Sequence, residues 1–172
     1  MLKIISGGQT GVDTAGLMAA RNCGLTTGGY MPKGFITESS PAPHYKNLYG
    51  IQELGSSDYT VRTDMNIKSS DVTMIFHNGT VGRGTRRTMD KCLSFGKKHF
   101  VYNMLENMND LNGFIDIIAN DLITCREKFG DDFTVNIAGT RGSKLGMKNE
   151  NILVIVLTEA FNKYKLHTQS YQ

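Results

Sequence analysis

The segment that most constrains this chain is Ser6-Gly7-Gly8-Gln9-Thr10-Gly11-Val12-Asp13. Its three glycines lie between a short apolar run, Lys3-Ile4-Ile5, and a stretch where Ala15, Met18, Ala19 and Cys23 recur at helical spacing. A strand that ends in a glycine turn and feeds a helix is the building unit of α/β architecture. Glycine permits positive φ and leaves backbone N–H groups unshielded, and a helix N-terminus adds partial positive charge. The turn therefore suits a phosphate or another oxyanion, and Gln9, Thr10 and Asp13 can add directional hydrogen bonds. A plain turn with Asp13 capping the helix is the structural alternative.

The same order recurs twice. Asp71 to Phe76 (DVTMIF) reads as a buried strand, followed by a turn from Gly79 to Gly84 and a helix from Thr85 to Phe95 that stops at Gly96. Phe133 to Ala138 reads as a strand, followed by the polar turn Gly139-Thr140-Arg141-Gly142-Ser143-Lys144. Lys98 to Asn103 is a further strand, and Leu111 to Phe129 carries the apolar spacing of an amphipathic helix closed by Gly130. Leu25 to Met31 is expected to be one strand closed by Pro32-Lys33-Gly34, and Arg62 to Ser69 a short helix. Residues 35 to 57 hold two prolines, several serines and little periodicity, so they are expected to form a loop long enough to act as a lid. Ile152 to Leu166 begins like a strand (ILVIVL) but continues its apolar pattern through Ala160, Phe161 and Tyr164, which favours a helix. Alternating strands and helices predict an α/β sandwich with a mostly parallel sheet, in which the three polar turns converge on one edge.

Composition narrows the function. At 172 residues the chain has the length of about one domain, taking ~150 residues per domain. Nineteen glycines against three prolines, where ~7% glycine is usual, indicate tight turns rather than linkers. A net charge of +3 is too mild to argue for nucleic acid. No apolar run reaches the ~18 residues of a membrane span, and Met1-Leu2-Lys3 leads straight into a strand. A soluble, cytoplasmic protein is the expectation. Cys23, Cys92 and Cys125 match neither a disulfide framework nor a zinc spacing and are expected to be buried thiols. His44, His77, His99 and His167 show no ligand spacing, so no metal held by side chains is expected, and no catalytic Ser-His-Asp or Cys-His set can be argued.

In the second turn, Gly82, Gly84 and Thr85 open a helix, and Thr85 and Thr88 lie one turn apart on one face. Residues 83 to 98 hold six basic side chains, with Arg87 expected on an exposed face. The dinucleotide pattern GxGxxG fails, because Arg87 stands where its third glycine belongs, and GxxxxGK[ST] is absent. Further candidates are Lys33 with Gly34, the run Arg62, Thr63 and Asn66, and Arg141 with Ser143 and Lys144.

SGGQTGVD, GGYMPKG (28 to 34), RTDMNIKSSDVTMIF (62 to 76), Gly84-Thr85-x-x-Thr88 and NIAGTRGSK (136 to 144) follow in that order. In this the chain resembles the putative molybdenum carrier family, the circularly permuted YpsA-like branch of the SLOG superfamily. The resemblance implies a single Rossmann-like three-layer sandwich over residues 1 to 172. It also implies a pocket for a nucleotide-like or phosphorylated pterin ligand, the molybdenum cofactor (molybdopterin) among them, and assembly as a homo-oligomer, tetramer or dimer. By motif position, Gly7, Gly8, Gln9 and Thr10 would hold the ligand's anionic group, with Asp13 at the helix start. Lys33, Gly34, Arg62, Thr63 and Asn66 would line the pocket. Gly82, Gly84, Thr85 and Thr88 would form a second cradle, and Arg141 and Ser143 the far rim. The chain departs from the family at Thr14, where arginine is usual, at Tyr30, where tryptophan is frequent, at Arg83, which is inserted into a Gly-Gly-Thr turn, and at Gly142, where an acid is common.

The leading expectation is a carrier for a small anionic ligand, with molybdoenzymes as recipients and neither membrane nor nucleic acid as a partner. The first turn is its expected main anion site, and Arg62 is expected to contact ligand rather than support the fold. A rival is a phosphoribohydrolase acting on nucleoside monophosphates, as in the related lonely-guy proteins that the chain resembles in fold; the resemblance implies a catalytic glutamate three residues after the glycine-threonine pair, where this chain has Thr88, with Asp13 as the substitute carboxylate. A third reading is a sensor of ADP-ribose-like ligands.

Overall fold

A computed structural model describes residues 1–170. In chain order the first elements are β1 (Leu2–Ser6), α1 (Val12–Asn22), β2 (Thr26–Gly28), β3 (Tyr30–Met31), a 3-10 turn at Lys33–Phe35, α2 (Tyr45–Tyr49), β4 (Gln52–Glu53) and α3 (Tyr59–Lys68). They are followed by β5 (Val72–His77), α4 (Arg83–Ser94), β6 (Lys98–Asn103), α5 (Met104–Asn107), α6 (Leu111–Phe129), β7 (Phe133–Gly139), α7 (Gly142–Leu145) and α8 (Met147–Gln169).

Five strands form one sheet in the order β2-β1-β7-β5-β6, all parallel. Parallel strands are covered on both faces, which is why β5 is buried along its whole length. On one face Ile4, Met74, Phe76, Val135 and Ile137 join Ala15 and Ala19 of α1, Ile118 and Leu122 of α6, and Leu157 and Phe161 of α8 in one core. Phe76 and Phe161 are fully buried, and a side chain of that size contributes about 1.5–3 kcal/mol when removed from water. On the opposite face lie α3 and α4, with Thr73, Asn136 and Cys92 buried beneath them. This is the α/β sandwich with a parallel sheet that the alternation predicts.

The chain runs outward from β1 to β2, restarts at β5, runs outward to β6, and returns to insert β7 between β1 and β5. The turns after β1, β5 and β7 therefore open side by side at the carboxyl ends of the three central strands. That is the point where ligands bind in open α/β sheets.

Two segments differ from expectation. Leu25 to Met31 is two strands, because Gly29 adopts φ +124 and passes so close to β1 that a Cβ would lie 2.1 Å from the Ser6 carbonyl oxygen. β2 stays in the main sheet, whereas β3 turns away to pair with β4. Residues 35 to 57 are no open loop. Phe35, Ala42, Tyr49 and Ile51 are buried with Met31 and Leu17 in a second small core. The last element is helical, as its full length requires: Leu153, Val156, Leu157, Ala160, Phe161 and Tyr164 face inward at helical spacing. All three cysteines are buried and unbridged. Among the described residues no helix is long and apolar enough to cross a membrane.

Candidate functional site

The first turn is held by its own side chains. The Gln9 N–H donates to Asp13 Oδ2 at 3.3 Å, the Thr10 N–H donates to Gln9 Oε1 at 3.0 Å, and the Gly8 N–H donates to Ser6 Oγ at 3.4 Å. Three of the four amides expected to receive a ligand anion, those of Gly8, Gln9 and Thr10, thus already face protein acceptors. Gly8 has φ +66, and a Cβ there would lie 2.5 Å from Met31 Sδ. Its glycine serves the turn and the second core.

Asp13 begins α1, is almost fully buried, and accepts from Arg62 Nη1 at 2.9 Å. Burial pushes its carboxyl up from the ordinary range, and the Arg62 guanidinium opposes that shift. Arg62 projects from α3, whose first turn is capped by Asp58 accepting from the Thr60 N–H at 2.7 Å. A Cβ on Gly7 would fall 1.7 Å from Arg62 Nη1, so Gly7 makes room for the guanidinium. The Arg62 Nε is buried and has no partner among the described residues.

Glu38 comes from the segment read as a lid. It accepts from the Ser143 N–H at 2.8 Å, from Ser143 Oγ at 2.6 Å and from Thr10 Oγ1, while Arg141 Nε lies 3.9 Å away. The Glu38 N–H donates to Gln9 Oε1 at 2.9 Å. Partial burial would raise its carboxyl, but the hydrogen bonds from Ser143 and Thr10 outweigh burial and hold it below the ordinary carboxylate range. Glu38 therefore straps the first and third turns together.

Beside this strap lies a cleft of two lobes. The first, about 510 Å³, is bordered by Gln9, Asp13 and Glu38, by Arg62 and Thr63 of α3, and by Arg87 and Thr88 of α4. The second, about 620 Å³, is bordered by Asn78, Thr80, Gly82, Thr85, Thr140 and Lys144. Arg83, Gly84 and Arg141 border both lobes. Each volume falls within the ~300–1,000 Å³ of small-molecule sites. Among the described residues the second lobe is bordered by three cations and no carboxylate. The N-terminus of α4 opens beside it, since Gly82 is its N-cap and supplies no side-chain acceptor for the first amides. Thr85 is 5% exposed, and the buried Thr140 Oγ1 makes no hydrogen bond among the described residues.

The structure thus brings Gln9, Asp13, Arg62, Thr63, Gly82, Gly84, Thr85, Thr88 and Arg141 to one cleft, with Thr10 and Ser143 behind it on Glu38. Lys33, Gly34 and Asn66 lie outside its lining. Lys33 is exposed on the 3-10 turn, and the Gly34 N–H donates to Glu53 Oε1 at 2.6 Å. Asn66 is buried, accepts from the Tyr30 N–H and donates to the Tyr30 and Arg62 carbonyls, each at 3.0 Å, so it fixes β3 against α3. Arg87 is exposed, as expected, and also borders the first lobe. Sequence reasoning missed Glu38, Tyr59, Thr60, Asn78 and Thr80. For Asn78 and Thr80 a signal existed, since both follow β5 in the second turn; for Glu38 none did.

Chemically the cleft offers guanidinium groups, hydroxyls and helix amides, which recognise oxyanions. Its carboxylates are both engaged, Asp13 by Arg62 and Glu38 by Ser143 and Thr10. Among the described residues no three His, Cys, Asp or Glu side chains come together as metal ligands.

A crystal structure of a protein described as putative molybdenum carrier protein, from Syntrophus aciditrophicus SB, shares 28% identity with a TM-score of 0.74, over 94% of this chain and 93% of that one. No curated protein matches the chain. The sequence profile of the circularly permuted YpsA SLOG family matches residues 4–156, the span that contains every border of the cleft, and the chain therefore belongs to that family.

Proposed function

We propose that this protein binds and carries a small anionic ligand, nucleotide-like or a phosphorylated pterin such as the molybdenum cofactor, in the two-lobed cleft. The observation that carries the reading is the second lobe, where Arg83, Arg141, Lys144 and the amides of α4 meet Thr85 and the buried, unpartnered hydroxyl of Thr140 with no bordering carboxylate. A donor set of this kind fits the phosphate and oxyanion groups of such cargo. The relative described as a putative molybdenum carrier protein favours a molybdenum-containing cargo. Hand-over to molybdoenzymes, assembly as a homo-oligomer and a cytoplasmic setting belong to the same reading.

The mechanism is stoichiometric. Arg83, Arg141 and Lys144 neutralise the anionic end, α4 donates backbone N–H groups to it, and Arg62 offers the N–H groups that Asp13 leaves free. The anion seat in this reading lies at the start of α4 rather than in the first turn, where the Gly8, Gln9 and Thr10 amides already have acceptors. Hydrolysis of a glycosidic bond needs a free carboxylate at the sugar. Thr88 supplies none, and Asp13 is tied to Arg62.

Equilibrium dialysis against molybdenum cofactor released from a denatured molybdoenzyme tests the reading, with molybdenum per chain as the readout. About one molybdenum retained per chain is expected. Retention no greater than that of an unrelated protein of similar charge overturns it.

A further inference from the structure

The two lobes meet at Arg83 and Arg141, which border both. On the second-lobe side the cations Arg83, Arg141 and Lys144 face no bordering carboxylate. The first lobe also keeps positive charge to spare. There Asp13 is matched by Arg62, and Glu38 is satisfied by Ser143 and Thr10 with Arg141 alongside. Arg83 and Arg87, one helical turn apart on α4, remain. Asp58, the carboxylate that senses Arg87, is engaged with the N–H and hydroxyl of Thr60. Arg83 makes no ion pair among the described residues.

We infer that Arg83, with Arg141 beside it on the divide between the lobes, makes this cleft selective for ligands that carry two oxyanionic groups, one in each lobe. Arg83 stands between Gly82 and Gly84 at the start of α4, and its guanidinium offers separate N–H edges that can serve an oxyanion on each side. The second observation, independent of the α4 terminus, is Thr140 of the third turn, which borders the second lobe and whose buried hydroxyl has no partner among the described residues, so that lobe holds a donor with room for an acceptor of its own. Beyond the shared Arg83 and Arg141, the unpaired cation is Arg87 in the first lobe and Lys144 in the second, so a ligand with a single oxyanion leaves one of these two to water. The inference rests on the anionic-ligand reading and adds the charge pattern of the ligand.

The test compares two probes that share a base and sugar, AMP and adenosine 3′,5′-bisphosphate, by calorimetry at one fixed ionic strength. The parent is expected to bind the bisphosphate at least ~10-fold more tightly. In Arg83→Ala that ratio should fall to about 2 or below, while Arg83→Lys, which keeps the charge and loses the fork, should give an intermediate ratio. Arg86→Ala, an exposed α4 residue outside both lobes, controls for general attraction to a basic helix and should leave the ratio unchanged. Equal affinity for both probes in the parent, or a ratio that Arg86→Ala lowers as much as Arg83→Ala, overturns the two-anion inference and leaves the carrier reading standing. If neither probe binds and the dialysis retains no molybdenum, the anionic-ligand reading falls and this inference with it.

Discussion

Arg62 Nη1 sits 2.9 Å from Asp13 Oδ2 while occupying the space that a side chain on Gly7 would need. One ion pair therefore links α3, the first turn and α1, and it forms a wall of the cleft. Arg62, expected from the sequence to serve only the ligand, also supports the fold.

Removing Arg62 leaves a buried carboxylate unpaired. Arg62→Ala is expected to lower stability by about 3 kcal/mol, the scale for breaking a buried pair by deleting one partner. Urea denaturation checks it, and a midpoint within error of the parent would show that the pair contributes nothing.

Gly7→Ala should act through the same pair. Its Cβ would displace the guanidinium from Asp13. Gly7→Ala and Arg62→Ala should therefore be non-additive, with the double variant close to the more damaging single one. Additive losses would place the effect of Gly7 elsewhere. Gly8→Val is a poor probe of ligand binding, because φ +66 and the contact with Met31 damage the turn itself.

The strap at Glu38 gives a pH signature. Its carboxyl titrates lower in the folded state than its ordinary value of 4.5, so its contribution is present above that value and is lost as pH falls through the lowered one. Glu38→Gln should cost about 1–3 kcal/mol at about pH 6 and should flatten the loss of stability between about pH 5 and pH 3. Parallel pH profiles for parent and variant would remove Glu38 as a titrating strap.

No free base should be released from AMP, because Thr88 stands where a catalytic carboxylate is needed and Asp13 is held by Arg62. Turnover that is linear in protein and abolished by Asp13→Asn would favour the hydrolase reading instead.

Much of the sheet was legible. DVTMIF reads as a strand because a strand covered on both faces is a continuous apolar run, and Leu111 to Phe129 repeats its apolar residues every three or four positions over nineteen residues. The break at Gly29 was not legible, since its positive φ arises from a close pass against Ser6 rather than from local sequence. Residues 35 to 57 read as a loop because a five-residue helix and a two-residue strand are too short for periodicity, and their anchors Met31 and Leu17 lie outside the segment. The cleft could be located because parallel strands bring their following turns to one edge. Glu38 could not be found, since its partners Thr10 and Ser143 are 28 and 105 residues away. The first turn looked like a bare anion cradle because the sequence does not show that Gln9 and Asp13 bond its amides.

The central claim is that the cleft between α4 and the third turn holds a small anionic cargo. Native mass spectrometry of the purified protein, before and after incubation with released molybdenum cofactor, tests it most directly. One small-molecule adduct per chain is expected, lost in the Arg83→Ala, Arg141→Ala double variant while the variant remains folded by circular dichroism. A bare chain mass under both conditions, or an adduct that the folded double variant keeps, would contradict it.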